Sequence, residues 1–150
     1  MAEEFNNVVT TAGKNLALDT FLAGSAYTVT GPYIGLITST SYTGVSAADT
    51  MSSHSGWLEA GSANNPHYSG SRGTAVFATA SAGSKSLSAA LSFSITSSGT
   101  VEGAFLVYGS GASATIDNTS GTLYSAGLFT SGDQAVTNGG ILLVTWTGAL

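Results

Sequence analysis

The chain has 150 residues, of which 7% are charged at neutral pH, and its net charge is −5. An ordinary soluble domain carries about 25% charged residues, so this surface must consist largely of Ser, Thr, Gly and Ala, and such a surface favours association with other protein. Three basic residues are too few for binding to nucleic-acid phosphates, and the lack of cysteine excludes disulfides, thiolate metal sites and cysteine nucleophiles.

The length suits a single domain, and the 43% hydrophobic content indicates a folded chain rather than a disordered one. We divide it into an N-terminal arm, residues 1–11, and one β-sandwich domain, residues 12–150. The N-terminus is acidic where a signal peptide is basic, and no apolar run approaches the ~18 residues of a membrane span. We therefore expect no membrane partner and synthesis in a cytoplasm-like compartment.

The arm contains three apolar residues, Phe5, Val8 and Val9, with no obvious partner within residues 1–11. Two alternatives remain open for it. It either folds back onto its own domain or reaches a neighbouring molecule.

A helix is predicted over residues 12–24, with Thr10 or Thr11 as its N-cap and Gly24 as its C-terminal stop. Leu18, Phe21 and Leu22 share one helical face, and this pattern predicts that they dock the helix onto a sheet.

The remainder has the pattern of strands separated by Gly-rich turns, since Gly and Asn tolerate the positive φ of tight turns. Leu91, Phe93 and Ile95 alternate with hydroxyl residues, so their side chains should face a core. This pattern predicts a mainly β fold, a β-sandwich or jelly roll with one short N-terminal helix. The predicted strands are 33–38, 91–96, 101–108, 122–129 and 141–147, with weaker candidates at 72–79 and 85–88.

A long polar loop region spans residues 42–70 and includes His54, His67 and Trp57. Loops of this length in a compact domain are usually functional or ordered by a partner. Trp57 is the better candidate for an interface anchor, because Trp buries a large area at little entropic cost. Trp146 stands inside the last strand and should be core.

Catalytic and metal-binding patterns are weak. A Ser near one of two histidines is expected by chance in so Ser-rich a chain, and no G-x-S-x-G elbow exists. Asp49, His54, Glu59 and His67 match no metal-site spacing, and neither phosphate-binding glycine motif is present. We expect no enzymatic activity, no cofactor and no bound metal.

Several segments in order resemble small virion proteins of tailed bacteriophages. Members of this group are often described as tail-fibre or structural proteins, and those placed in virions resemble capsid decoration, or cement, proteins with a jelly-roll or β-sandwich fold. The resemblance runs from about residue 12 to the end, and its motifs are structural rather than catalytic. One departure is Gly140 followed by Ile141, where this group usually has an acidic residue. The segments that carry the resemblance are Leu18-Asp19, Leu22-Ala23-Gly24, Ala26-Tyr27-Thr28, residues 32–38, Ser71-Arg72-Gly73, residues 103–106, residues 121–129 and residues 136–147.

The resemblance implies a decoration protein that binds the outer face of the major capsid shell, stabilises it and forms a homo-oligomer, a dimer or trimer. It implies assembly in the bacterial host cytoplasm and a final location on the virion. The alternative is a tail-fibre or adhesin module that binds a host receptor. The candidate partner-binding residues are Phe5, Val8, Val9, His54 and Trp57.

Overall fold

The structure is a computed structural model that describes residues 1–22 and 30–149, apart from the side chain of Phe21. Within these residues it is mainly β with one helix, and no helix there is long and apolar enough to cross a membrane. The elements are β1 (Glu3–Val9), α1 (Thr11–Leu22), β2 (Tyr33–Thr38), β3 (Leu58–Glu59), β4 (Gly73–Thr74), β5 (Ser84–Ser86), β6 (Leu91–Ser94), β7 (Gly99–Tyr108), β8 (Thr122–Phe129), β9 (Gln134–Val136), β10 (Ile141–Thr145) and β11 (Thr147–Ala149).

A curled sheet dominates the described part of the chain, with strand order β3-β2-β7-β8-β1-β10-β6. β4 also pairs with β2, and β9 pairs with β7, while β5 and β11 form a separate two-stranded ribbon. The predicted mainly β fold with one short N-terminal helix is therefore confirmed. Strands 33–38 and 122–129 have the predicted bounds, whereas the last predicted strand is divided into β10 and β11 at Trp146.

The two faces of the sheet bury different clusters. One face contributes to the larger core, which includes Phe5, Phe93, Ile95 and the predicted core residue Trp146. The opposite face, over β2, β7 and β8, packs against side chains from the loop region 42–70. That second cluster contains Ile37, Met51, Trp57, Phe105, Val107, Ala112, Leu123 and Ala126.

The helix begins as predicted but docks through a different face. Thr10 is the N-cap, since its hydroxyl accepts a hydrogen bond of 2.9 Å from the amide of Gly13. The prediction that Leu18 and Leu22 face the sheet is wrong, because these side chains are 55% and 72% exposed. The side chain of Phe21 and the predicted stop at Gly24 lie outside the described residues.

Small residues explain this docking. Gly13 is buried, and a Cβ there would lie 2.5 Å from the carbonyl oxygen of Tyr124. The helix therefore approaches the backbone of β8 more closely than a Leu-bearing face allows. The two leucines are left on the outside of the helix.

The N-terminal arm is a strand within the sheet. β1 pairs antiparallel with β8, from Phe5 opposite Phe129 to Val9 opposite Ser125. Its first residues pair in parallel with β10, with Glu3 opposite Val144. Of the two alternatives for the arm, the structure has the first, folding back onto its own domain.

Candidate interaction surface

Trp57, the predicted interface anchor, is an interior residue that is 1% exposed. Its indole Nε1 donates a hydrogen bond of 2.9 Å to Oδ2 of Asp49, and its ring centroid lies 5.1 Å from that of Phe105. Trp57 therefore holds the loop region against the sheet and offers no side-chain area to a partner. The interpretation of Trp57 as a surface anchor is corrected accordingly.

His54 covers the buried Trp57. The two rings are stacked, with centroids 3.8 Å apart, and Nδ1 of His54 lies 3.0 Å from the Trp57 carbonyl oxygen. The imidazole is half-buried. His54 and Trp57 are thus brought together, as neighbours within one packed loop.

A buried ion pair, which sequence reasoning missed, joins Arg72 to Glu59. Nε and Nη2 of Arg72 donate to the two carboxylate oxygens of Glu59 at 2.8 and 2.6 Å. The guanidinium lies 5.2 Å from the centre of the Phe105 ring. The one signal in the sequence was the rarity of charge, since Arg72 is one of only three basic residues in the chain.

This ion pair connects two loops. Arg72 also donates to the carbonyl oxygens of Ser113 and Asn118, at 2.9 and 2.7 Å. The carboxylate of Glu59 accepts a further hydrogen bond of 2.9 Å from the amide of Asp117. Burial raises the pKa of Glu59, while the hydrogen bonds and charge of Arg72 act in the opposite direction.

Three of the four residues weighed as metal ligands have other partners. The Asp49 carboxylate accepts a hydrogen bond from Trp57, the Glu59 carboxylate accepts from Arg72, and Nδ1 of His54 lies 3.0 Å from the Trp57 carbonyl oxygen. Within residues 1–22 and 30–149, no group of three or more His, Asp or Glu side chains is arranged to hold a metal ion.

The three apolar residues of the arm have different environments. Phe5 is buried in the larger core, so it too has no exposed area for a partner. Val9 is half-buried, and Val8 is 41% exposed on the outer face of β1. Val8 therefore remains the exposed partner-binding candidate of this strand.

Val8 lines a shallow groove of about 390 Å³, which we call the β1–β8 groove. Its floor is formed by the outward faces of β1 and β8, where Asn6 lies opposite Leu128. Leu128 is 39% exposed. Tyr42 and Val45 form the opposite wall, from the start of the loop region.

Glu4 lies at the end of this groove that Thr130 lines, since the amide of Thr130 donates a hydrogen bond of 2.7 Å to the Glu4 carbonyl oxygen. Glu4 continues the face of Asn6 and Val8 along β1, because alternate residues of a strand point to the same side. Burial raises the pKa of Tyr42 in the groove wall, and the negative charges of Glu102 and Asp133 raise it further. Glu102 and Asp133 therefore act on the side of the groove that Tyr42 forms.

Other exposed apolar side chains lie on β10. Ile141 is 67% exposed and Leu143 37%, while Leu142 and Val144 between and beyond them are buried. This alternation marks the outward face of β10. The chain thus exposes apolar side chains on more than one face.

The chain matches no known family, no curated protein and no solved structure.

Proposed function

We propose that this chain is a structural protein of a bacteriophage virion, a capsid decoration protein that binds the outer face of the major capsid shell and stabilises it. The observation that carries the proposal is a charge-poor surface with exposed apolar side chains on outward strand faces, including Val8, Leu128 and Ile141. Burying hydroxyl and glycine surface costs less than burying unpaired ions. Such a surface suits close contact with other protein.

The interior of the loop region supports the same role. Trp57 and the Arg72–Glu59 pair fasten residues 42–70 to the sheet through buried contacts. A clamp between shell subunits acts by binding the assembled state and lowering its free energy, which requires no covalent chemistry. A firmly packed loop region presents the same surface to every subunit.

Because the contact is repeated at every copy on the shell, an interface of ordinary size is enough to stabilise the shell. An interface of roughly 800 Å² per partner is typical of specific complexes, and it would be repeated across the whole shell. Copies that associate as a dimer or trimer would bridge neighbouring capsid subunits. The net charge of −5 favours the outer face, away from the packaged nucleic acid.

The test is stoichiometry in purified virions, measured by quantitative gel electrophoresis against the major capsid protein. A decoration protein should be present at hundreds of copies and be lost from destabilised, emptied heads. A count of a few dozen copies confined to tails would overturn the proposal and favour a receptor-binding tail module. Absence of the chain from virions would overturn both.

A further inference from the structure

The β1–β8 groove has two properties that together define the chemistry of a binding partner. Its floor and wall present apolar surface from Val8, Leu128, Tyr42 and Val45. Tyr42 and Val45 pack against the second core cluster, so the wall is anchored to the sheet. The groove is therefore an apolar surface of fixed shape that nothing in the described chain covers.

A β-bulge contributes a charge to the rim of this groove. Ile37 pairs with Gly103 and Thr38 pairs with Val101, which leaves Glu102 of β7 without a partner residue on β2. A bulge of this kind redirects a side chain. Partial burial raises the pKa of Glu102, and the negative charge of Asp133 raises it further.

Within residues 1–22 and 30–149, the carboxylates at this rim form no ion pair. Among the described residues the single ion pair within 4.0 Å is Arg72–Glu59, which is buried elsewhere. Lys14 on α1 and Lys85 on β5 are exposed and form no ion pair. Glu4, Glu102 and Asp133 therefore present uncompensated negative charge beside the groove.

We propose that the β1–β8 groove binds a segment of another protein that carries apolar side chains interspersed with Lys or Arg. The apolar side chains of that segment would cover Val8 and Leu128, and its cations would meet Glu4, Glu102 and Asp133. Complementary charge of this kind fixes register and speeds association.

Charge also decides between a different protein and a second copy. A second copy has only two exposed lysines, Lys14 and Lys85, so it brings little positive charge to the rim. The occupant is therefore a different, basic protein segment. The inference rests on the proposed function for one point, that this segment belongs to the capsid shell.

The first test uses short synthetic peptides in which lysine alternates with leucine. Matched peptides replace every lysine by glutamate or every leucine by serine. We expect the Lys–Leu peptide to shift the backbone amide NMR signals of β1 and β8, and to bind at least about tenfold more tightly than either matched peptide. Equal binding of all three peptides, no binding, or shifts confined to β10 would overturn the proposal.

Paired variants separate the apolar floor from the acidic rim. The first pair, Val8→Thr with Leu128→Thr, removes apolar area from the floor. The second pair, Glu102→Gln with Asp133→Asn, removes charge from the rim. Each pair should weaken binding of the Lys–Leu peptide about tenfold. The rim pair should also reduce the dependence of binding on salt concentration.

Controls are Ile141→Thr, on the outward face of β10, and Asp19→Asn, on α1, neither of which should change binding. Equal effects of the controls and the paired variants would contradict the assignment of the groove.

The second test measures attachment of the same variants to purified virions stripped of the chain. Retained attachment with lost peptide binding would show that the groove does not contact the shell, and would overturn this inference without affecting the proposed function. If the chain binds the Lys–Leu peptide normally but is absent from virions, the proposed function is overturned and the peptide-binding groove is not. Sedimentation equilibrium checks the second-copy alternative, since an oligomer that only the groove variants dissociate would overturn the inference.

Discussion

Two interior contacts, Trp57 with Asp49 and Arg72 with Glu59, hold the loop region in place. Both place a polar or charged group in the interior, and each satisfies it with a specific hydrogen bond. Sequence position alone does not reveal this, because a Trp or Arg in a polar loop has the same composition whether it is exposed or buried. Their burial depends on segments further along the chain, because the Phe105 ring packs against Trp57 and the carbonyl oxygens of Ser113 and Asn118 accept from Arg72.

Replacing Arg72 by Met should destabilise the protein by about 3–5 kcal/mol, because it leaves Glu59 buried without its counter-charge. Urea unfolding followed by Trp fluorescence measures the loss. Replacing both Arg72 and Glu59 by Met should restore part of the stability, since no buried charge is then left unpaired.

Lys85→Met is the matched control, because Lys85 is an exposed cation whose removal should change stability by no more than about 0.5 kcal/mol. An Arg72→Met protein as stable as the wild type would show that the ion pair does not hold the two loops.

At the level of elements, β1 is the connection between the two parts of the sheet, since it pairs with both β8 and β10. Alternation predicted β6, and apolar runs between Gly-rich turns predicted β2, β7, β8 and β10, whereas the short strands β3 and β9 were not predicted. These local patterns were insufficient for residues 1–11, where Phe5, Val8 and Val9 do not alternate regularly and the partner strand lies more than 100 residues away. Pairing over such a distance is set by the assembled sheet and not by local sequence.

Close approach of the β1 and β8 backbones predicts an effect at Gly127. A Cβ at this position would overlap the carbonyl oxygen of Asn6, so Gly127→Ala must separate the two strands. We expect faster hydrogen exchange of the β1 amides and lower stability in urea.

Gly132→Ala is the control for backbone strain alone. Gly132 has a φ of 87° and open space around its Cα, so the substitution should cost roughly 1–2 kcal/mol without loosening β1. If both variants leave β1 equally protected from exchange, the close contact at Gly127 does not determine the pairing.

Over the whole molecule, charge is distributed unevenly. Glu59 and Asp49 are buried with their partners, whereas Glu4, Glu102 and Asp133 lie near the β1–β8 groove. Composition predicted the scarcity of charge but not this grouping, which arises from the register of β1, the bulge in β7 and the position of the following loop.

The raised pKa of Glu102 predicts a dependence of stability on pH. A carboxyl that binds its proton more tightly when folded stabilises the fold below its ordinary pKa of 4.5, and this contribution is lost as the pH rises through the folded value. Glu102→Gln should therefore be more stable than the wild type near neutral pH and equally stable at about pH 4.

Thermal unfolding of both proteins over this pH range measures the difference. Asp19→Asn serves as the carboxylate control on α1. A stability difference between wild type and Glu102→Gln that does not change with pH would contradict the assignment of the effect to ionisation of Glu102.

Local sequence patterns were enough to predict the class of fold, most of the strands, the capped start of the helix and the burial of Trp146. These follow from local alternation, turn residues and capping, which act over a few residues. Tertiary structure alone decided which face of α1 docks, that β1 joins the sheet, that Trp57 and Arg72 are interior, and that Val8 and Leu128 share one groove with nearby carboxylates. Each of these depends on the close approach of distant segments, at Gly13, at Gly127 and where Arg72 donates to Ser113 and Asn118. Backbone distance and burial there determine which side chains remain exposed.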